Sequence, residues 1–406
     1  MRVKTIPEDF HVEERVRLPL DPEGPFTLYR VQKRGVTTME VEARIARLLR
    51  RPRSAVRTPA LKDKEAVAVQ YLTVRGDGPD RLEGPGFVAE RVGRASRPLE
   101  PSDLEGNRFT VVVRDLGRDE AEEVGRRLEQ LAREGLPNYF DQQRFGSQTE
   151  AGDWPGKRIL LRDAEGALRA HLAEPMVGDP PQMRAFKRVA AERWGDWEAL
   201  LKAAPRPSNV RSVLTYLRDH PDGFRHALNL ITPRLLRLYL AAYQSLLWNR
   251  IAARYLLART GKPSGWVEIA GERLPLFADL GAHLPTDAAV PLPFHRAAYD
   301  DPDLAAVVEG VLEEEGLTLS DLKPRILRRA YLPCGRRRLL LLPRDVSASP
   351  PTPDDRFPSR HALTLAFTLP PGSYATLVLK AAACALRPAP CSLLPATCNV
   401  TFKMWR

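Results

Sequence analysis

The amino-acid sequence predicts an α+β fold, in which a domain built on a mixed or antiparallel sheet is interrupted by a mainly helical insertion domain. Three observations support this prediction. The chain has 406 residues, which is too long for one ordinary domain. Strand and helix patterns alternate up to about residue 153, whereas helical periods prevail over 154–329. Two further strand patterns follow, and we expect them to return to the first sheet.

The first part of the chain contains four predicted strands, because apolar and polar side chains alternate there. They cover residues 10–16, 26–32, 66–74 and 108–114. Between the second and third strands, Thr37 and Glu40 form the capping-box signature of a helix start. A second amphipathic helix is predicted over 119–134, ended by Gly135.

The middle of the chain is rich in Ala, Leu and Arg. Residues 235–257 are apolar nearly all round, which predicts a buried helix. Strands are then predicted over 336–344 and 362–369, on either side of a loop rich in Pro, Ser and Asp. The predicted domains are a discontinuous one in two parts, an insertion and an atypical tail, over 1–153 and 330–380, 154–329 and 381–406.

Charge and composition limit the function classes. The net charge is +11 and the pI is about 9.7, which favours a polyanionic partner such as nucleic acid. An arginine-rich proteome is the alternative explanation. The four cysteines show no metal-ligand spacing, and no glycine-rich phosphate loop is present, so neither a metal nor a cofactor is expected. No membrane span or signal peptide is expected either, which predicts a cytoplasmic protein.

The loop before the third strand places one carboxylate, Asp63, between Lys62 and Lys64. Neighbouring ammonium groups favour the ionised carboxylate and attract phosphate. Asp63 is therefore a candidate nucleophile or general base for chemistry on nucleic acid. Taken alone, such a triplet is also typical of a solvated turn.

A second segment, residues 138–146, combines Asn138, Phe140 and Arg144 with further aromatic and amide side chains. Aromatic rings stack on bases, amides bind base edges and arginine binds phosphate. The alternative is that Tyr139 and Phe145 are ordinary core residues. Under that alternative the neighbouring polar side chains would be buried as well, which is costly unless they have hydrogen-bond partners.

Six segments of the chain resemble, in the same order, the TruD family of tRNA pseudouridine synthases. They are residues 4–14, 33–38, 62–64, 138–146, 243–249 and 367–376. The resemblance implies a pseudouridine synthase catalytic domain with the family's helical insertion, acting as an isomerase on tRNA. It implies uridine 13, in the D-arm region, as the usual target. The reaction needs no redox change, metal or cofactor.

The resemblance also implies which residues act. It places the catalytic role on Asp63. It places substrate binding on Asn138 and Phe140, on Phe10 and Phe367 in the uridine pocket, and on Lys4 and Lys62. We assign the two lysines to phosphate contacts or to tuning Asp63. Without the resemblance, Phe10 and Phe367 would be interpreted as core residues at strand ends.

Some positions depart from the family pattern. Ala60 and Asp141 stand where the family usually has glycine, and Ala68 stands where it often has threonine. An inward-facing Asp141 would oppose phosphate binding near the proposed pocket. After Leu379 the chain enters a run rich in Pro and Cys, which we expect to be poorly ordered and dispensable. The alternative is that residues 381–386 extend a helix that packs on the sheet.

Two functions of different classes follow from these observations. The first is a tRNA pseudouridine synthase. The second is a non-catalytic RNA-binding protein or RNA chaperone. The carboxylate of Asp63 favours the enzyme, because a pure binder gains nothing from a negative charge facing phosphate. A DNA-binding regulator is not supported, since the sequence has no helix-turn-helix or zinc-finger signature.

Overall fold

The structure, a computed structural model, describes residues 1–206, residues 209–384 and the backbone of Thr401–Phe402. The chain divides into two compact units. Unit 1 combines Met1–Leu136 with the described residues from Leu341 onward, and unit 2 is Pro137–Leu340. The sequence-based domain boundaries, at 153/154 and 329/330, stay predictions.

The first part of unit 1 is rich in strands. They are β1 (Arg2–Val3), β2 (Phe10–Val16), β3 (Phe26–Lys33), β4 (Val56–Arg57), β5 (Val67–Arg75), β6 (Arg81–Gly84), β7 (Phe87–Ala95) and β8 (Leu104–Leu116). The helices are α1 (Thr38–Leu48) and α2 (Arg118–Glu134). The four strands and two helices predicted here are confirmed. A two-residue strand, β9 (Leu136–Pro137), leads into unit 2.

Unit 2 is mainly helical. Its helices are α3 (Pro155–Leu160), α4 (Ala164–Leu172), α5 (Pro181–Glu192), α6 (Trp197–Ala203), α7 (Val210–Asp219), α8 (Phe224–Leu228), α9 (Pro233–Thr260), α10 (Leu280–His283) and α11 (Pro302–Glu314). Its strands are β10 (Gly265–Ile269), β11 (Glu272–Leu276), β12 (Ala289–Pro291) and β13 (Arg336–Arg338). The predicted buried helix is confirmed as α9, whose middle turns are inaccessible on every side.

The chain then returns to unit 1 at Leu341, the second residue of β14 (Leu340–Leu341). The elements that follow are β15 (Arg344–Ala348), β16 (Thr352–Pro353), β17 (His361–Leu369), α12 (Ala375–Ala383) and β18 (Thr401–Phe402). The main sheet has the order β15-β17-β8-β2-β5-β3-β7-β6. Neighbours on this path are antiparallel except β2 and β5, which are parallel. The mixed sheet and the helical unit 2 confirm the predicted α+β class.

The prediction of one continuous strand over 336–344 is wrong. β13 pairs with β12 inside unit 2, whereas β15 pairs with β17 in the main sheet. Pro343 lies between them and cannot donate a ladder hydrogen bond. Asp345 has a φ of 51°, at a register shift between Arg344 and Ser347. The strand that joins the sheet therefore begins at Arg344 and extends into the segment predicted as a loop.

Helix α1 begins where its sequence signature predicts. The Thr37 hydroxyl accepts a hydrogen bond from the Glu40 N–H, and the Glu40 carboxylate accepts one from the Thr37 N–H. The apolar face of α1, with Val41 and Ile45, packs on side chains of β3 and β5. This packing fixes the start of α1 beside the strand that follows the Asp63 loop.

The segment from residue 381 begins inside a helix. α12 runs to Ala383, and Ala381, Ala382 and Ala383 are at most 4% exposed. The predicted tail therefore begins too early, and the alternative of a helix continuing past Lys380 into the core holds to Ala383. The backbone of β18 pairs in parallel with β1. The remainder of the predicted tail, 385–400 and 403–406, lies outside the described residues.

None of the helices in the described part of the chain combines the length and hydropathy needed to span a membrane.

Candidate active site and its relatives

The start of β2 and the Asp63 loop meet at one edge of the sheet in unit 1. β2 and β5 are neighbouring parallel strands, with His11 opposite Val67. In parallel strands the amino-terminal ends lie at the same edge. The residues before β2, including Lys4, and those before β5, including Asp63, are thus brought together although they are 59 positions apart.

Two side chains hold the backbone of the Asp63 loop. Thr38, the first residue of α1, accepts a hydrogen bond from the Lys62 N–H at 3.0 Å and donates one to Gln70 Oε1 at 2.9 Å. The Lys33 ammonium donates to the carbonyl of Asp63, and also to the carbonyl of Val36 at 3.0 Å. The loop is therefore fixed on both sides of the catalytic candidate.

Lys33 is a buried cation, only 1% exposed. Burial is the main cause that lowers its pKa to about 8, and the nearby Asp63 carboxylate partly offsets this. An ammonium in this position binds two backbone carbonyls and adds positive charge behind the loop. No sequence pattern singled out Lys33 beyond its place in the family-like segment 33–38.

Lys4 orients the Asp63 carboxylate. Its Nζ lies 3.2 Å from Asp63 Oδ2 and 4.2 Å from the centre of the Phe10 ring. A cation over an aromatic face is stabilised by the ring quadrupole. The Lys4 side chain is 10% exposed, whereas that of Asp63 is 51% exposed. Lys4 thus holds one carboxylate oxygen from the protein side while the carboxylate stays accessible from solvent.

Lys62 pairs with Glu14, and not with Asp63 as Lys4 does. Its Nζ lies 2.7 Å from Glu14 Oε1, and the two side chains are 7% and 0% exposed. Burial raises the pKa of Glu14, opposed by the charge of Lys62. Glu14 also accepts a hydrogen bond from the Tyr71 N–H at 2.9 Å. A phosphate contact by Lys62 is therefore not what this structure shows. The exposed lysine of the loop is Lys64.

Phe10 and Phe367 belong to one row of rings in unit 1. Phe109 lies between them, with its ring centre 5.8 Å from Phe10 and 5.7 Å from Phe367. Phe10 is 4% exposed and Phe367 is fully buried. The row ends at Lys4, which contacts Phe10 and Asp63. Sequence reasoning missed Phe109, although the strand that carries it was predicted.

Asn138, in unit 2, is held by β13 and by the residue that follows it, Leu339. Its N–H donates to the Leu339 carbonyl at 2.8 Å, and its side-chain amide donates to the Arg338 carbonyl at 3.1 Å. Arg337 donates to Asn138 Oδ1 at 3.0 Å and to its backbone carbonyl at 2.7 Å. Sequence reasoning missed Arg337, because the two residues are 199 positions apart.

Phe140 is packed between cations and α9. The Arg337 guanidinium lies 3.9 Å from its ring centre and that of Arg144 lies 5.7 Å away. Trp248 of α9 meets the ring edge-on at 5.6 Å. Asn249 exchanges two hydrogen bonds of 2.8 Å with the Phe140 backbone. Two family-like segments, 138–146 and 243–249, are thus joined within unit 2.

Asp141 immediately precedes a short 3-10 turn, residues 142–145, and Arg144 lies within that turn. Arg144 is half-buried, and its Nε donates to Ser245 Oγ at 3.0 Å. Asp141 is fully buried, so it does not point to solvent. Its carbonyl accepts a hydrogen bond from the Arg144 N–H at 2.8 Å.

The predicted site residues thus form two groups. Asp63, Lys4, Phe10 and Phe367 lie in unit 1 in one connected set, with Lys62 beside them. Asn138, Phe140 and Arg144 lie in unit 2. Among the described residues, no group of three His, Cys, Asp or Glu side chains is placed to hold a metal ion.

Known proteins resemble this chain over most of its length. The family model described as "tRNA pseudouridine synthase D (TruD)" matches residues 1–262. The chain belongs to the TruD family of tRNA pseudouridine synthases. A "Probable tRNA pseudouridine synthase D" from Methanopyrus kandleri is 31% identical, over 90% of this chain and 87% of that protein. The "tRNA pseudouridine synthase D" of Aquifex aeolicus is 27% identical, over 95% and 98%.

A solved structure supports the fold. The crystal structure titled "Putative tRNA pseudouridine synthase D (TruD)" from Methanosarcina mazei matches with a TM-score of 0.71. It is 23% identical and covers 94% of this chain and 93% of its own. The TruD family fold is therefore shared along nearly the whole chain, which agrees with the family expected from the six sequence segments.

Proposed function

We propose that this protein is a tRNA pseudouridine synthase, that Asp63 is its catalytic carboxylate, and that uridine 13 of tRNA is its target. The observation that carries the proposal is the setting of Asp63. Its carboxylate is half-exposed, one oxygen lies 3.2 Å from Lys4, and its own carbonyl is bound by the buried Lys33. A solvated surface turn has no need of two dedicated lysines.

The isomerisation of uridine requires little more than one correctly positioned carboxylate. The C1′–N1 bond of uridine breaks, the uracil rotates, a C1′–C5 bond forms, and the proton on C5 is lost while N1 gains one. Asp63 serves as nucleophile or as general base in this sequence. The target base must first leave its stack, which costs a few kcal/mol. Lys4 holds the carboxylate in place without covering its exposed side.

We assign the other residues either to supporting the catalytic loop or to contacting the tRNA. Phe10 and Phe367 are too buried to stack on a base, so we assign them to the wall behind the catalytic loop, together with Phe109. Lys62 holds the loop through Glu14. Arg144 and Arg337 are the cations of unit 2 that we assign to tRNA phosphates, and the chain's charge of +11 supports a polyanionic substrate.

A direct assay tests the proposal. The purified protein is incubated with an unmodified tRNA transcript, and pseudouridine is mapped by carbodiimide labelling and primer extension. We expect one new pseudouridine, at position 13, and none in a transcript with cytidine at that position. Pseudouridine elsewhere would contradict the target but keep the enzyme. Tight binding with no pseudouridine in any transcript would favour the RNA-binding alternative.

A further inference from the structure

A cavity in unit 2 lies next to the segment that carries Arg144. It has a volume of about 690 Å³, and its walls come from α4, α5, α9 and residues 143–147. Cavities of roughly 300–1,000 Å³ hold small organic ligands, usually between apolar walls with a few placed polar groups. Of the residues given a role above, only Arg144, which we assign to a tRNA phosphate, lines this cavity.

One wall holds an ion pair between a buried lysine and a partly buried aspartate. Lys187 is 2% exposed, and its Nζ lies 2.8 Å from Asp179 Oδ2. The same ammonium donates to the Glu174 carbonyl at 3.0 Å. An ammonium has three donors, so one remains for a ligand. Burying such a pair costs desolvation, and packing alone would be served as well by apolar side chains.

His171, in α4, also lines the cavity. Its Nδ1 lies 2.7 Å from the Tyr239 hydroxyl, and its Nε2 is buried without a hydrogen-bond partner among the described residues. Burial lowers the pKa of His171 to about 3, so the ring is neutral at physiological pH. A buried polar atom without a partner is rare in native proteins, and this one belongs to a side chain that lines the cavity.

The remaining walls are apolar and adaptable. Met176 and Met183 contribute thioether side chains, which fit flat rings well. Leu235 and Leu238 of α9 close another side, and Leu238 is 51% exposed. Gln143 and Arg144 also border the cavity. The cavity thus combines apolar walls, the Lys187–Asp179 ion pair, the buried ring of His171 and one cation, Arg144, suited to phosphate.

We propose that this cavity binds one unstacked base of the RNA substrate, an inference that rests on the proposed function. A base has a flat apolar face and an edge with donors and acceptors, as this cavity requires. Lys187 and His171 contact the base edge, the methionines contact its face, and Arg144 contacts the phosphate of that nucleotide. The base bound here is a second one, apart from the uridine presented to Asp63.

Photo-crosslinking tests this binding independently of turnover. Full-length protein is irradiated with tRNA transcripts that carry 4-thiouridine or 6-thioguanosine at one position at a time, and the linked peptides are identified by mass spectrometry. We expect one position to crosslink within residues 176–187 or 235–239. The variant Leu238→Trp should cut that crosslink, and kcat/KM for tRNA, at least about tenfold. Leu257→Trp, at an exposed position of the same helix outside the cavity, should change neither.

The outcomes are distinguishable. Crosslinks that map only outside the cavity, with pseudouridine formation intact, would overturn this inference and leave the proposed function standing. A cavity crosslink that persists in Leu238→Trp would also overturn it. If no transcript binds or is modified, both proposals fail. As a second variant, Lys187→Met should weaken the crosslink in protein shown by thermal melting to be folded.

Discussion

Lys4 Nζ lies 3.2 Å from Asp63 Oδ2 and 4.2 Å from the ring centre of Phe10, so one ammonium connects the aromatic row of unit 1 with the catalytic candidate. Lys4 adopts a φ of 59°, an uncommon conformation for a residue other than glycine. Strain of this kind persists where the surroundings fix it, often at functional sites. We interpret it here as the backbone arrangement that directs the ammonium at Asp63.

Replacing this ammonium should impair turnover. We expect Lys4→Met to lower kcat about 10- to 100-fold, because the carboxylate loses its fixed orientation, while tRNA affinity changes little. Single-turnover kinetics and gel shift separate the two quantities. Lys64→Met, on the exposed side of the same loop, is the matched control for a general loss of positive charge. Equal effects of the two substitutions on kcat would rule out an orienting role for Lys4.

Substitutions of Lys62 and Lys64 should affect the stability of the protein differently. Lys62→Met leaves Glu14 buried without its partner, so we expect the free energy of unfolding to fall by about 3–5 kcal/mol. Lys64→Met should change it by less than about 0.5 kcal/mol, since Lys64 is exposed. Urea denaturation measures both. A small effect for Lys62→Met, together with weakened tRNA binding, would restore the phosphate role first expected for it.

The buried Lys33 predicts a pH dependence of stability. Its pKa is lowered from 10.5 to about 8 in the folded protein. Below pH 8 both states are protonated and the cost of burying the charge is fully present. Between pH 8 and 10.5 the folded state binds fewer protons than the unfolded state, so stability rises with pH.

The variant Lys33→Met isolates this contribution. From pH 7 to 10.5, the stability of the native protein relative to Lys33→Met should increase by roughly 2 kcal/mol, allowing for solvent screening. Chemical denaturation of both proteins at several pH values gives the difference. A constant difference over this range would mean that Lys33 titrates in the folded state as it does in the unfolded state.

The end of α12 should matter for folding. Truncation after Lys380 removes three buried alanines, which costs about 2 kcal/mol at roughly 0.8 kcal/mol per methyl group. Truncation after Cys384 keeps them, so its melting temperature should stay higher by several degrees. Calorimetry of the two truncated proteins tests this order. Equal melting temperatures would support the original expectation that the whole segment from 381 is dispensable.

Local patterns in the sequence predicted local structure well. The capping box of Thr37 and Glu40 was sufficient to locate the start of α1, because its hydrogen bonds join residues three positions apart. The prediction of one strand over 336–344 is wrong because the pairing partners decide which sheet a short segment joins. Pro343 is the local sign of this break, because proline has no N–H to donate to a ladder.

The candidate site was predicted only where a single segment carried the signal. Asp63, Asn138 and Phe140 stand in recognisable segments, but their supports come from elsewhere in the chain. Lys33 reaches Asp63 across 30 positions, and Arg337 reaches Asn138 across 199. Nothing in the residues beside Lys62 indicates that its ammonium binds Glu14. Such pairs depend on strand register, which one sequence does not reveal.

The most direct test of the account is the nearly isosteric substitution Asp63→Asn. Pseudouridine formation displaces the hydrogen on C5, so tritium release from tRNA labelled at uridine C5 reports turnover, while gel shift reports binding. We expect turnover below about one thousandth of the native rate, with tRNA affinity and melting temperature nearly unchanged. Turnover at a tenth of the native rate or more, in a protein that still binds tRNA, would contradict the assignment of Asp63 as the catalytic carboxylate.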